Sequence, residues 1–206
     1  AVEVRGAERR LVDLERLVKM NVRAFEAHLY LGSARAAESR FDEALGEFDM
    51  AAALNPDLAT PHFEAAKVLS AQGKHVEAAS RVRAGLAIDP QSAYGHYTLG
   101  VVYQKAAAWP EAAAAFRRAV AQNPMDGRAQ ANLASASLRT GDVETARTAF
   151  TAMVSLGHQV APAQFNLGVL AQRAGDKVEA GRRYRLAIAA DPGFKPALDA
   201  LAAINR

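Results

Sequence analysis

The sequence contains no cysteine, so it can form no disulfide, thiolate metal site or cysteine nucleophile. It also lacks any apolar run approaching the ~20 residues that a membrane-spanning helix needs, which predicts no membrane span in this chain. No charge of one sign predominates, because 25 Lys and Arg residues are interspersed with 22 Asp and Glu residues. A nucleic-acid-binding protein concentrates its basic residues on one element. We therefore expect no nucleic-acid partner.

Sequence motifs of catalysis are missing as well. The chain has no HExxH motif, no glycine-rich phosphate loop and no GxSxG motif. Acidic pairs such as Asp42-Glu43 lie at predicted helix starts, where a negative charge favours the positive end of the helix dipole. We predict that the protein is not an enzyme, with no catalytic residue and no cofactor.

Three histidines recur at a constant interval, which raises the question of a metal site. His28, His62 and His96 are each separated by 34 residues. Equivalent positions in stacked helical units lie roughly 8–10 Å apart, whereas a nitrogen–metal bond is only about 2.0–2.1 Å long. The spacing therefore predicts packing roles and no metal site.

The same interval of 34 residues runs through most of the chain and is its main feature. It separates consecutive members of two series, the five alanines Ala44, Ala78, Ala112, Ala146 and Ala180 and the three prolines Pro56, Pro90 and Pro124. Twice that interval separates the glycines Gly32, Gly100 and Gly168. A strict period of this kind indicates an array of stacked units.

Each unit has the pattern of two short helices joined by a turn. First helices are predicted near 25–38, 59–72, 93–106, 127–140 and 161–174, and second helices near 41–53, 75–88, 109–121, 143–155 and 177–189. Gly73, Gly141 and Gly175 mark the turn inside three units, where a positive φ favours glycine. In the central unit Ala107 replaces this glycine.

The unit resembles the tetratricopeptide repeat, a helix-turn-helix of 34 residues. The central unit, for example, carries the large and small packing residues Leu99, Gly100, Tyr103, Ala112, Phe116, Ala119 and Pro124. The resemblance implies an all-α fold, a right-handed superhelical α-solenoid of antiparallel helix pairs. It covers five full units, at 25–58, 59–92, 93–126, 127–160 and 161–194.

Incomplete units flank these five. Residues 1–24 are predicted to hold a leading helix over 7–20, part of an incomplete repeat, and 195–206 a capping helix with a buried stripe of Leu198, Leu201 and Ala202. The high alanine and arginine content is typical of a bacterium with a GC-rich genome. The sequence does not identify the compartment, and a cytoplasmic location is favoured. Because the chain begins with Ala1 and not with Met, a periplasmic location is left open for the case that a leading signal or anchor was removed.

A second face of the first helices is not explained by packing. In the family, positions 2, 5, 9 and 12 of each repeat line a concave groove that binds peptide segments. Of these twenty positions here, three are charged and four aromatic, a composition less polar than a purely solvated face. We predict a partner-binding groove of Phe63, Lys67, Tyr94, Tyr97, Val101, Gln104, Arg128, Asn132, Phe165 and Asn166, with Arg139 and Arg173 on or beside it.

The predicted function is therefore a non-enzymatic scaffold that binds a protein or peptide segment with apolar side chains and some acidic character. Leu29 and Ser33 already depart from the carboxylate-clamp pattern of chaperone-tail-binding members, so that ligand is not expected. Two alternatives are left open. In the first, the array is a regulatory or targeting module of a larger enzyme. In the second, it is a self-associating assembly module that forms homo-oligomers.

Overall fold

A computed structural model describes Arg16 and residues 24–204, and within them the chain is helical with no β-strand. The eleven helices of these residues are α1 (Ala24–Ala37), α2 (Phe41–Leu54), α3 (Thr60–Ala71), α4 (His75–Ile88), α5 (Ala93–Lys105), α6 (Trp109–Gln122), α7 (Gly127–Thr140), α8 (Val143–Ser155), α9 (Val160–Arg173), α10 (Lys177–Ala190) and α11 (Lys195–Ile204). The first ten begin and end within one residue of the predicted bounds. Apart from Arg16, which is helical, the leading helix predicted over 7–20 falls outside the described residues.

The helices belong to two compact units, Ala1–Ala108 and Trp109–Arg206. In the first unit each of α1 to α4 contacts the helix that follows it, and α3 also contacts α1 and α5. In the second unit each of α6 to α10 contacts the helix that follows it. Short connections between consecutive packed helices produce antiparallel helical hairpins in both units.

The turn inside each predicted repeat has the same backbone conformation whatever residue occupies it. Gly73, Gly141 and Gly175 have φ of 78°, 79° and 84°, as predicted. Ala107 and Ser39 occupy the equivalent positions with φ of 56° and 62°. A left-handed residue with a Cβ costs about 1–2 kcal/mol, so the packing of the flanking helices imposes this turn on both residues.

The periodic alanines form the most buried series of the core. Ala44, Ala78, Ala112, Ala146 and Ala180 have 0% exposure. Four residues further along the same helices stand the larger residues Phe48, Val82, Phe116, Phe150 and Tyr184, all 5% exposed or less. A spacing of four residues places each pair on one face of its helix.

Glycine on the first helix of a hairpin makes room for an aromatic ring on the second. A Cβ built on Gly32 would lie 2.7 Å from Cε1 of Phe48, and one built on Gly168 would lie 2.5 Å from Cε1 of Tyr184. In the second repeat Ala66 is paired instead with the smaller Val82 in the same cluster. The residue volumes on the two helices are therefore matched, which permits close helix packing.

The C-terminal helix packs differently from the prediction. Ala197 is fully buried against the cluster that contains Ala180 and Tyr184, and Leu201 packs beside it. The predicted stripe is wrong for Leu198, which is 43% exposed, and for Ala202, which is also exposed. Both lie on a face of α11 that α10 does not cover, because α10 contacts the neighbouring face through Ala197.

The glycine–aromatic contact predicts opposite effects for two substitutions in the first hairpin. Gly32→Ala should destabilise the protein by about 1–3 kcal/mol, because its methyl group overlaps the buried Phe48 ring. Gly46→Ala, in α2 with nothing within 4 Å of the added Cβ, should stabilise it by about 0.5–1 kcal/mol. Urea denaturation followed by circular dichroism measures both. Equal shifts of the two midpoints would contradict the packing argument.

The reassigned face of α11 predicts a contrast between two leucines in one helix. Leu201→Ser should lower stability by about 1–3 kcal/mol, because it removes packing against the last cluster. Leu198→Ser should change stability by no more than about 0.5 kcal/mol, because Leu198 is largely exposed. Thermal denaturation compares the two variants. A larger loss of stability for Leu198→Ser would contradict the reassigned face and support the buried stripe predicted from the sequence.

Candidate functional site

The candidate site comprises the predicted groove residues of the two units, which are described separately. In the first unit α3 carries Phe63 and Lys67, and α5 carries Tyr94, Tyr97, Val101 and Gln104. Lys67 and Tyr94 are exposed at the surface, whereas Tyr97, Val101 and Gln104 are half-buried. The contact between α3 and α5 brings the exposed pair together.

Phe63 must be reassigned from the groove to the core. It is 2% exposed and packs in the cluster that contains Ala66 and Val82. Gly85 and Gly95 provide the space for its ring, because a Cβ on either would lie 2.5–2.6 Å from a Phe63 ring carbon. These two glycines are the sequence signal that could have identified Phe63 as buried. Phe63 therefore supports the site from below and does not form its surface.

Glu64 is a site residue that the sequence reasoning missed. Its Oε1 accepts a hydrogen bond from the Tyr94 hydroxyl at 2.5 Å, and its Oε2 accepts one from Lys67 Nζ at 2.7 Å. Lys67 Nζ also lies 3.1 Å from the Tyr94 hydroxyl oxygen and 5.9 Å from the ring centroid. The i,i+3 spacing of Glu64 and Lys67 on a helix was the available signal.

The Glu64–Lys67–Tyr94 cluster is held in place by Phe63 and shifts two pKa values. The Tyr94 ring meets the Phe63 ring edge to face, with centroids 5.9 Å apart. Burial and the hydrogen bond to Glu64 raise the pKa of Tyr94, against the opposing effect of Lys67. Burial alone would lower the pKa of Lys67, but its bonds to Glu64 and Tyr94 outweigh burial and raise it. Lys67 is therefore cationic and Tyr94 neutral at neutral pH.

An open cleft adjoins this cluster, between α1, α2 and α3. Its volume is about 310 Å³ and its lining consists of Ser33, Ala36, Phe41, Phe48, Glu64, Lys67, Val68 and Ala71. Ser33, Lys67 and Ala71 are exposed at its rim, whereas Phe48 and Val68 are buried. Three of the lining residues, Ser33, Ala36 and Lys67, belong to the face that the sequence analysis distinguished from the packing face.

In the second unit the basic groove residue lies at the start of a helix. Arg128 is the second residue of α7, its side chain is 72% exposed, and its Nε lies 3.5 Å from Oδ1 of Asp126. Asp126 also caps α7, accepting hydrogen bonds from the backbone N–H groups of Arg128 and Ala129 at 2.9 and 3.3 Å. A charged acceptor at this place stabilises the helix end and holds the base of the Arg128 side chain.

Phe165 lies at the boundary between core and surface. It is half-buried, and its ring centroid lies 5.6 Å from that of Tyr184 and 5.7 Å from that of Phe194. Asn166 donates from Nδ2 to the carbonyl oxygen of Pro162 in the same helix, at 3.0 Å. Asn132 is half-buried on α7. One of the two N–H donors of the Asn166 amide is thus engaged locally.

The basic residues predicted beside the groove lie near helix C-termini. Arg139 is in the last turn of α7 and Arg173 in the last turn of α9, where a cation interacts favourably with the helix dipole. The guanidinium carbon of Arg139 lies 5.1 Å from the centroid of the Trp109 ring, within cation–π range. Arg139 therefore has a defined orientation on the second unit.

The periodic histidines have separate polar environments. His28 Nδ1 lies 2.6 Å from Glu47 Oε2, and His96 Nε2 lies 3.0 Å from the carbonyl oxygen of Pro90. Burial, followed by the nearby Arg81, lowers the pKa of His62. Over the described part of the chain, no three metal-ligating side chains converge. No helix among these residues is long and apolar enough to cross a bilayer.

Helical hairpins with a buried packing face and a second, accessible face define a helical-repeat scaffold. The tetratricopeptide repeat family model matches residues 13–59 and 97–159, and the chain belongs to this family. The all-α solenoid of helix pairs that the sequence predicted is thereby confirmed. No curated protein matches the chain.

Three solved structures have the same fold as this chain at 18–23% sequence identity. The chain is similar to YrrB, described as a TPR protein with an unusual peptide-binding site, with a TM-score of 0.72 at 22% identity over 91% of this chain and 96% of that one. It is similar to PilW, a type IV pilus biogenesis factor, with a TM-score of 0.71 at 18% identity over 97% and 93%. It is also similar to MamA from Desulfovibrio magneticus RS-1, with a TM-score of 0.62 at 23% identity over 73% and 85%.

The cluster predicts a specific titration of Tyr94. The pKa of Tyr94 should lie above the ordinary value of about 10, and Glu64→Gln should lower it because the charged acceptor is lost. Because the folded pKa is the higher one, the stability that Tyr94 contributes is fully present below the unfolded pKa and is lost as pH rises through the folded pKa. Tyrosinate absorbance, compared between the wild type and Tyr94→Phe, measures the shift.

Tyr30 provides the control for this titration. Its side chain is 66% exposed on α1. Tyr184, whose pKa is also raised by burial, contributes to the late titration in every variant. Tyr30→Phe should leave in place the late-titrating component that Tyr94→Phe removes. If that component disappears in Tyr30→Phe and persists in Tyr94→Phe, the assignment of the raised pKa is wrong.

Proposed function

We propose that the protein is a non-enzymatic interaction module that binds an extended segment of another protein through the accessible face of its first helices. In the first unit this surface comprises Lys67, Tyr94, Tyr97, Val101 and Gln104, with Glu64 added. In the second unit it comprises Arg128, Asn132, Phe165 and Asn166. The family, whose fold implies protein or peptide partners, supports this proposal.

One observation carries the proposal, the exposure of Lys67 and Tyr94 above a buried aromatic base. Tyr94 is 41% exposed, although its ring packs on Phe63 and its hydroxyl is fixed by Glu64. A surface side chain that is already ordered loses little conformational entropy on binding. Tyrosine and arginine are also the residues that most often dominate binding energy at protein interfaces.

The charge of the two parts of the site bears on the composition of the partner. In the first unit the Lys67 charge is balanced by Glu64 at 2.7 Å. In the second unit Arg128, Arg139 and Arg173 are all exposed, and the Arg128 side chain is 72% exposed while its Nε lies 3.5 Å from Oδ1 of Asp126. We propose a partner segment with apolar side chains and some acidic residues, the acidic residues being bound by the arginines of the second unit.

A variant in each unit tests the proposal, with a partner captured from a lysate of the source organism and its bound segment labelled for fluorescence anisotropy. Tyr94→Ser removes the ordered ring, and Arg128→Glu reverses the exposed charge. Each should weaken binding about fivefold or more, equivalent to about 1 kcal/mol. Circular dichroism establishes that both variants remain folded.

Arg118→Glu is the matched control for the charge reversal. Arg118 is exposed on α6, a second helix outside the proposed surface, and the change in net charge equals that of Arg128→Glu. Its affinity should equal that of the wild type. Equal losses of affinity in Arg118→Glu and Arg128→Glu would show that the loss comes from the change in net charge alone, which would contradict the proposal.

A further inference from the structure

The cleft between α1, α2 and α3 combines a buried apolar floor with an open rim. Phe48 is 1% exposed and Val68 5% exposed at its base, and Ala36 adds a small apolar side chain to the wall. Ala71 and Lys67 are exposed at its edge, so the space opens to solvent. Its volume of about 310 Å³ lies at the lower end of the range of ligand pockets, which are mostly apolar with a few placed polar groups.

The polar groups at the edge of the cleft are almost fully used. Both carboxylate oxygens of Glu64 accept hydrogen bonds, from Tyr94 and Lys67. The Ser33 hydroxyl donates to the carbonyl oxygen of Leu29 at 3.0 Å. An ammonium group has three donors, and Lys67 uses two of them, toward Glu64 and Tyr94. One N–H group of Lys67 remains for a ligand.

The charge at this edge determines what kind of acceptor suits that donor. Glu64 and Lys67 form an ion pair at 2.7 Å, so their net charge is zero. A ligand carboxylate on Lys67 would approach the like charge of Glu64, which disfavours it. A neutral peptide carbonyl accepts the hydrogen bond without this repulsion. The cleft is therefore complementary to a neutral backbone group next to an apolar side chain.

We propose that this cleft is a pocket for one bulky aliphatic or aromatic side chain of an extended, locally uncharged peptide segment, whose backbone carbonyl accepts a hydrogen bond from Lys67. The inference rests on the proposed function, because it specifies which part of the partner segment the first unit binds. The acidic residues of that segment belong to the second unit. Since neither the edge of the pocket nor the ligand group that it binds carries a net charge, binding there depends only weakly on the salt concentration.

Methyl NMR of the full chain, labelled at alanine and valine methyl groups, tests the pocket with neutral blocked amino acids. N-acetyl-leucinamide and N-acetyl-phenylalaninamide should produce saturable shifts at Ala36, Val68 and Ala71. The α-amide of N-acetyl-glutamate should bind at least about fivefold more weakly than the two neutral probes, because of its charge and its smaller apolar area. Raising the salt concentration severalfold should change the leucinamide affinity by less than about twofold.

Two tryptophan substitutions make the test specific to the cleft. Ala71→Trp fills the cleft from its exposed edge and should weaken N-acetyl-leucinamide binding about tenfold or more by occupying its volume. Ala87→Trp introduces the same side chain at an exposed position of α4 that does not line the cleft. Its leucinamide affinity should match that of the wild type.

Several results would overturn the inference. Shifts that do not saturate, that persist in Ala71→Trp, or that are equally strong with the glutamate probe would exclude a neutral apolar pocket. Cleft shifts that grow with protein concentration in the absence of a probe would identify a second copy of the chain as the occupant.

The outcome is separable from that of the proposed function. If Tyr94→Ser and Arg128→Glu weaken binding of the captured partner but no leucinamide binding is found, the pocket alone is wrong. If leucinamide binds at the cleft while both variants retain partner affinity, the proposed interaction surface is wrong and the pocket stands. Ala71→Trp, applied to the captured partner, should weaken its binding about fivefold; unchanged affinity would refute the use of the pocket by that partner.

Discussion

The close approach of two helices within each hairpin is the constraint on which the remaining structure depends. It requires a residue of small volume opposite one of large volume, as between Gly32 and Phe48 or between Gly168 and Tyr184. The fully buried alanines, such as Ala44 and Ala180, meet the same requirement one turn away. Because each such contact joins neighbouring helices only, the core is built from many local contacts, as expected for a repeat protein. The packing face of every helix is thereby set, and with it the face that is left accessible.

The accessible face is shaped by one departure from that regular pattern. Phe63 occupies a position that the repeat pattern assigns to the groove, yet Gly85 and Gly95 accommodate its ring in the core. The buried ring supports Tyr94 in an edge-to-face contact. Tyr94 in turn orders Glu64 and Lys67 through hydrogen bonds of 2.5 and 3.1 Å. The burial of Phe63 in the core therefore orders a polar cluster at the surface, next to an apolar cleft.

The two parts of the candidate site differ in electrostatic character, which gives them different ligand preferences. The cationic Lys67 is neutralised by Glu64 beside a cleft with an apolar floor. The Arg128 side chain is 72% exposed, and its Nε lies 3.5 Å from Oδ1 of Asp126. Paired charges favour neutral ligand groups, whereas exposed surface charges attract opposite charge over a distance of about a Debye length. A partner segment with a locally uncharged, apolar part and a separate acidic part would use both characters.

The sequence by itself determined the class of fold and the helix bounds, because a strict 34-residue period of small residues indicates that the same local helix packing recurs in every repeat. It also identified Lys67, Tyr94 and Arg128 as surface residues, since helical periodicity separates one face from another. It failed for Phe63 and Leu198, because the burial of each depends on what a neighbouring helix supplies: two glycines make space for Phe63, and α10 packs against the Ala197 face of α11 and not against Leu198. It also missed Glu64, whose role arises from Tyr94, a residue 30 positions away. Only the tertiary structure decided these three, since periodicity specifies the orientation of a side chain on its own helix and not the volume or the hydrogen-bonding groups of the helix it meets.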